Sequence, residues 1–295
     1  MRRTRIKTAR VYQKELKFMD VFQAAILGVV QGLTEFLPVS SSGHLVLFQQ
    51  YFGLKEPELL FDVSVHVGTL AAVLVIYREK VLLLILSCLQ FLAGLLSGNK
   101  EAYDDRDFNF VLCIIAGSVP TAVIGLFIKK FEHIIFSSVV IVGCMLMVTG
   151  VFLLLTQFFG NGNHDDLIVD NPRPLSLKYA LIIGTIQGFA VMPGISRSGS
   201  TISTALLLGI DRKTAAEFSF LLALPAIVGA EILSLKDVTF DGATPAGIIL
   251  LGTVISAIVG YIALKLLISL VNKGKLHVFA PYCILLGIAA VIIGN

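Results

Sequence analysis

Two short polar segments carry the side chains of this chain that could do chemistry. The first is Gln31-Gly-Leu-Thr-Glu-Phe-Leu-Pro-Val-Ser-Ser-Ser-Gly-His44, and the second is Gln187-Gly-Phe-Ala-Val-Met-Pro-Gly-Ile-Ser-Arg-Ser-Gly-Ser-Thr201. Both are flanked by apolar runs, Ala24–Val30 and Ala180–Ile186 on their N-terminal sides. Ionisable groups at membrane depth are costly and mark sites. One arm offers Glu35, three serines and His44; the other offers Arg197 among hydroxyls. An acid/base set thus faces an anion-binding set.

Gln31 and Glu35 stand at i and i+4 and share a helix face. Glu35 is the one carboxylate between Asp20 and Glu56, placed as a general acid or base or as half of a structural ion pair. Pro38 and Gly43 bracket a turn holding Ser40, Ser41 and Ser42, with His44 next. A serine here is either a nucleophile activated by His44 or a phosphate donor, and at least one of the three caps the following helix. In the second arm Arg197 presents a rigid fork matched to phosphate oxygens. Ser196, Ser198 and Thr201 add hydroxyls, and Gly194 and Gly199 allow close backbone approach. Amides opening the next helix add a favourable dipole. His66 lies in an apolar run as a pore or core residue. His133, His164 and His277 fall at span ends or in loops. Glu217 and Ser219 open a span, and Glu231 lies deep in one, facing protein.

These segments need a scaffold that works in lipid. The chain has 295 residues, 56% of them hydrophobic and only 15% charged, with mean hydropathy +0.88. A soluble domain of this size carries more charge. Continuous rather than alternating apolar runs exclude a β-barrel, so the class is an all-α polytopic membrane protein. Spans are expected at about 60–78, 108–128, 134–159, 215–235, 245–271 and 277–294. Residues 21–53 and 176–210 are expected as re-entrant helix hairpins around the polar segments, because irregular backbone at membrane depth must be enclosed by protein or a water-filled cavity. The run 81–97 is expected as an interfacial helix. Net charge +3 says little about partners. Cys88, Cys113, Cys144 and Cys283 lie apart in apolar runs as small buried hydrophobes.

The chain repeats itself. Gly28, Gln31, Gly32, Ser42 and Gly43 recur as Gly184, Gln187, Gly188, Ser198 and Gly199, a constant offset of 156 residues (187 minus 31). The expected organisation is a basic tail at 1–19, a first repeat at 20–159, a polar loop at 160–175 and a second repeat at 176–295. The tail is either an arm touching lipid headgroups or an extension upstream of a start at Met19. Each half is then a re-entrant hairpin plus three transmembrane helices. Three crossings between the hairpins make this an inverted-topology repeat, whose sites form where broken helices meet. The acids of the loops at 99–107 and 160–175 (Asp104, Asp105, Asp107, Asp165 and Asp166) are expected in solvent. Basic residues outside the tail gather on one side, at Arg78, Lys80, Lys100, Arg106, Arg173, Lys178, Arg212, Lys213, Lys273 and Lys275. The other side has Lys129, Lys130 and Lys236. The richer side is cytoplasmic by the positive-inside rule, although the basic tail argues the opposite.

The motifs Gln31-xxx-Glu35, Pro38–His44 and Pro193–Thr201, with Glu217–Pro225, resemble the bacterial undecaprenyl-diphosphatase family, also called bacitracin-resistance proteins. The likeness runs from about Met19 to the C-terminus. The family pattern has Glu or Gln at the first position, and this chain has Gln31. The resemblance implies an integral membrane phosphatase that hydrolyses undecaprenyl diphosphate to undecaprenyl phosphate and inorganic phosphate, recycling the lipid carrier for cell-wall synthesis. It implies catalytic roles for Glu35, His44 and Ser41. It implies substrate binding by Arg197 with Ser196 and Thr201, to which the reading of the residues adds Ser198, Gly194 and Gln31. It also implies a divalent cation (Mg²⁺ or Ca²⁺), with Glu35 as the candidate ligand. Further implications are a multi-pass protein of the bacterial plasma membrane, a site opening to the extracytoplasmic face, a homodimer, and no nucleic-acid partner.

The rival reading is a prenyl-phosphate transporter or flippase, since paired hairpins in an inverted repeat are transporter architecture. Another membrane lipid phosphatase family has a Pro-Ser-Gly-His segment and a later Ser-Arg…His. After Ser196-Arg197, however, no histidine follows until His277.

Overall fold

Several helix starts in this chain carry polar caps. Asp20 and Gln23 form a reciprocal capping box that opens α1 (Val21–Phe36). Ser176, Ser196 and Asp211 likewise cap the helices that follow them. Each side-chain oxygen occupies an amide that a helix start leaves unpaired. The computed structural model describes residues 19–54, 59–97, 105–131, 135, 138–159, 173–236 and 244–294. The basic tail to residue 18, Asp104, His133, His164, Asp165 and Asp166 lie outside the described residues.

After α1 come α2 (Ser41–Tyr51), α3 (Leu59–Ile76), α4 (Arg78–Ser97), α5 (Asp105–Lys129) and α6 (Val139–Phe159). The second half holds α7 (Leu177–Phe189), α8 (Arg197–Leu207), α9 (Arg212–Ser234), α10 (Ala246–Asn272) and α11 (Ala280–Gly294), the last preceded by a 3₁₀ turn at Leu276–Phe279. Among the described residues the structure is all-helical. Seven helices are long and apolar enough to cross a membrane: α3, α4, α5, α6, α9, α10, and α11 with its 3₁₀ lead-in. Their outward faces are rich in exposed Leu, Ile, Val and Phe, the surface that lipid covers.

The four helices around the polar segments have 16, 11, 13 and 11 residues. At 1.5 Å per residue none reaches the roughly 30 Å of a hydrocarbon core. They form two helical hairpins, α1–α2 and α7–α8, with matching starts. Val21 and Leu177 begin the first arms, and Ser41 and Arg197 the second, each 156 residues apart (177 minus 21, 197 minus 41).

Glycine contacts lock the hairpins to the long helices. A Cβ on Gly28 of α1 would stand 2.7 Å from the Gly252 carbonyl oxygen of α10. A Cβ on Gly184 of α7 would collide with the backbone of Gly117 in α5. Thr121 strengthens that second contact by donating to the Gly184 carbonyl at 2.8 Å. Between α6 and α11 the approach is reciprocal, Gly143 against the Gly287 carbonyl and Gly287 against the Gly143 carbonyl. In lipid, small residues of this kind let helices pack without a hydrophobic driving force between them.

One helix departs from this pattern. Lys80 near the start of α4 bonds Asp107 at 2.8 Å, and Phe91 stacks on Phe108 at 4.1 Å between centroids. Lys80 and Phe91 lie about 16 Å apart along their helix, yet both meet the first turn of α5. Helix α4 therefore lies across the end of α5, not antiparallel beside it. Lys80 also reaches Glu217 at 3.5 Å, so Glu217 joins this cluster.

Candidate active site

The tips of the two hairpins meet. Ser40 sits at φ +70°, the one non-glycine residue with positive φ among the described residues. The strained turn aims its hydroxyl at the other tip, where Oγ accepts the Gly194 amide at 3.0 Å. Gly194 has φ +97°, a backbone conformation glycine takes without penalty. Ser198 donates to the Phe36 carbonyl at 2.8 Å, so the contact is held from both sides.

That docking brings together the two sets expected to face each other. Arg197 is the first residue of α8, and its Nη2 donates to Glu35 Oε1 at 2.5 Å. The other carboxylate oxygen, Oε2, accepts Ser41 Oγ at 2.7 Å and Gln31 Nε2 at 3.1 Å. Glu35 is 7% exposed. Such charge-assisted bonds strengthen away from water.

A cavity of about 500 Å³ opens from this cluster. Glu35, Ser40, Ser41, Ser42, Ser196 and Arg197 line one end. Ala122, Leu126, Val191 and Ile227 give it apolar walls, and it reaches Lys129 and Ser234 at the far ends of α5 and α9. A charged end with greasy walls matches an amphiphile carrying an anionic head.

Other expected site residues lie behind this wall. Ser196 Oγ accepts the Gly199 amide at 3.1 Å, so this hydroxyl caps α8 while also bordering the cavity. Thr201 Oγ1 donates to the Arg197 carbonyl at 2.8 Å. Thr201, Ser198 and Gly194 stiffen the arginine-bearing tip and do not line the cavity. Gln31 is fully buried behind Glu35; its Oε1 has no hydrogen-bond partner among the described residues.

His44 is also turned away from the cavity. Its Nδ1 lies 2.8 Å from the Ser40 carbonyl, and its Nε2 lies 2.6 Å from the hydroxyl of Tyr282 on α11. The imidazole that lines the cavity belongs to His66 on α3. Its Nε2 stands 3.8 Å from Glu35 Oε2, and its Nδ1 stands 3.8 Å from Glu231 Oε1 on α9. The sequence places His66 as a pore or core residue and Glu231 against protein without joining the two. The available signal was two ionisable residues deep in separate apolar spans, which is costly unless they meet. Gln187, the repeat of Gln31, also lines the cavity and donates to Thr121 at 3.3 Å.

No three His, Cys, Asp or Glu side chains converge as a cation site among the described residues, and both Glu35 oxygens are engaged by Arg197, Ser41 and Gln31. These residues do not fit a preassembled divalent-cation site.

The fold and the cavity define a multi-pass membrane protein with a charged pocket between two helical hairpins. The chain belongs to the BacA family: the model of the family described as "Bacitracin resistance protein BacA" matches residues 24–289. Relatives named undecaprenyl-diphosphatase align over nearly their whole length. The one from Desulforapulum autotrophicum is 48% identical, covering 94% of this chain and 99% of the relative. That from Desulfosudis oleivorans is 47% identical, covering 91% and 97%. The one from Korarchaeum cryptofilum is 44% identical, covering 92% and 98%.

Proposed function

We propose that this chain is an undecaprenyl-diphosphate phosphatase, releasing inorganic phosphate and leaving undecaprenyl phosphate for reuse in cell-wall synthesis. The observation that carries the reading is the Glu35–Arg197 contact at the charged end of an apolar cavity. The diphosphate takes the Arg197 fork, whose charge stabilises oxygens that gain charge as the phosphoanhydride breaks. Ser41 stands against Glu35 either as a hydrogen-bond donor to the phosphate or as nucleophile; as nucleophile it gives its proton to Glu35, displaces undecaprenyl phosphate from the phosphorus, and is freed when water releases inorganic phosphate. His44 holds the first tip through Ser40, so its role in this reading runs through that turn. The prenyl chain lies along the apolar wall beside Ala122, Leu126 and Ile227. The described residues assemble no cation site, and no step of this scheme runs through a divalent cation.

The same proposal extends to membrane placement. With α4 across the end of the bundle, three crossings (α3, α5, α6) separate the hairpins, and these insert from opposite sides as an inverted repeat. The cavity extends toward Lys129 and Ser234, away from the ends of α5 and α9 that carry Arg106, Arg212 and Lys213. The positive-inside rule makes the cavity side extracytoplasmic, in a bacterial plasma membrane. The homodimer implied by the family resemblance belongs to this proposal too, and light scattering of the detergent complex measures it.

The test is phosphate release from a C15 or C55 prenyl diphosphate by detergent-purified protein, with Mg²⁺ or Ca²⁺, beside Glu35→Gln and Arg197→Ala. Release that both substitutions abolish in folded protein is the expected result. Binding of the prenyl diphosphate without release by the unsubstituted chain overturns the enzyme in favour of a carrier. Release that survives both substitutions shows that the chemistry lies elsewhere.

A further inference from the structure

Glu35 has one guanidinium partner, and the proposed reaction takes that partner away. When the diphosphate engages Arg197, the buried Glu35 carboxylate is left beside an incoming anion. A charge in that position needs a replacement cation or donor within a few ångström. The structure offers one at 3.8 Å, the Nε2 of His66.

The surroundings of His66 suit that task. Its Nδ1 stands 2.8 Å from the Asp62 carbonyl. A carbonyl only accepts, so Nδ1 carries a hydrogen and Nε2 is the atom turned to Glu35. The charged groups facing the ring are Glu35 from α1, Glu231 from α9, and Asp62 four residues back on its own helix. With Nδ1 on the Asp62 carbonyl, it is as an imidazolium, which donates from both nitrogens, that Nε2 can donate to Glu35. Both His66 and Glu231 border the cavity. The second carboxylate lining this cavity, Glu231, comes from α9.

We propose that His66 and Glu231 form a positioning pair for hydrolysis of the lipid diphosphate: His66 takes over Glu35 as Arg197 turns to substrate, and Glu231 holds His66 in place. The inference rests on the diphosphatase reading. No covalent step is added; one hydrogen-bond partner of Glu35 replaces another.

The experiment compares unsubstituted protein, Arg197→Ala, His66→Gln, Glu231→Gln and the His66→Gln/Glu231→Gln double variant. It measures kcat and KM for a C15 prenyl diphosphate from pH 5 to 9, with a thermal melt for each. Expected is a fall in kcat of about tenfold to a hundredfold in both single variants, with KM changed less than about threefold, because ground-state binding stays with Arg197. The double variant matches the worse single variant, as residues acting as one unit do. If His66→Gln melts, Glu231→Gln carries the same prediction. Wild-type kcat in a folded His66→Gln or Glu231→Gln overturns the pair, as do strictly multiplicative effects in the double variant. With the unsubstituted chain active and Arg197→Ala dead, such outcomes sink the pair alone. An inactive unsubstituted chain sinks the diphosphatase reading and the pair together.

Discussion

Arg197 and Glu35 stand 162 positions apart in the chain and meet at 2.5 Å between Nη2 and Oε1. Neither residue could be placed in lipid alone. An isolated buried charge costs several kcal/mol, and each of these charges makes the other tolerable. The contact thus joins the two hairpins and holds the arginine at the charged end of the cavity.

Replacing Arg197 should damage both functions of the contact. Arg197→Ala leaves Glu35 buried and unpaired, a loss of about 3–5 kcal/mol by analogy with broken buried pairs. It should also remove phosphate release. Arg197→Lys keeps the charge but loses the planar fork, so it should recover most of the thermal stability and little of the activity. A lysine variant with full kcat/KM would show that a point charge suffices and that fork geometry is irrelevant.

Ser40 and Ser41 are neighbours with different tasks. Ser41 Oγ donates to Glu35 at the cavity, whereas Ser40 Oγ holds the Gly194 amide of the other tip. Ser41→Ala should cut kcat by at least about a hundredfold and leave the melting temperature near that of the unsubstituted chain. Ser40→Ala should lower the melting temperature more, since an unsatisfied buried amide costs about 1–3 kcal/mol. Thermal melts and phosphate release on the two purified variants separate these roles. Equal melts with equal activities would contradict both assignments.

The all-helical architecture and the approximate ends of the spans were legible because apolar runs of membrane length can do little else. The hairpins were legible because each polar segment interrupts a run with Pro and Gly. The charged tip of the cavity followed from residue type, and Arg197 meets Glu35 as expected. Side-chain direction was harder. His44 and His66 are each one imidazole among hydroxyls or apolar residues, and only the packing of α11 against the first tip shows why His44 turns to Tyr282 while His66 enters the cavity. A one-dimensional pattern also could not pair His66 with Glu231, because that contact depends on how α3 crosses α9.

The Tyr282 hydroxyl is placed to test how firmly His44 must be held. It lies 2.6 Å from His44 Nε2, with the two rings nearly parallel. Tyr282→Phe keeps the ring and removes one hydrogen bond. Hydrogen bonds between membrane helices average about 0.6 kcal/mol, so the stability loss should be small. A drop in kcat larger than that energy accounts for, about threefold at room temperature, would show that His44 orientation matters to turnover. An unchanged kcat with the same small destabilisation would confine the Tyr282–His44 bond to structure.

Gly184 of α7 lies directly on the backbone of Gly117 in α5, and neither neighbour has a side chain that can swing aside. Gly184→Ala must push α7 away from α5. That separation breaks the Thr121 hydrogen bond to the Gly184 carbonyl and shifts the tip that bears Arg197. Overpacking of a tight core costs about 1–3 kcal/mol, and a clash with backbone belongs at the upper end. Activity should fall along with stability, because Arg197 reaches Glu35 only while both hairpins hold their depth. Gly247 at the start of α10 is the control, since a Cβ there would meet nothing within 4 Å. Gly247→Ala also removes a poor helix former from a helix, so its melting temperature should stay level or rise. Thermal melts of the two variants in one detergent decide the matter: a Gly184→Ala protein as stable and as active as Gly247→Ala would mean that α7 is free to move relative to α5.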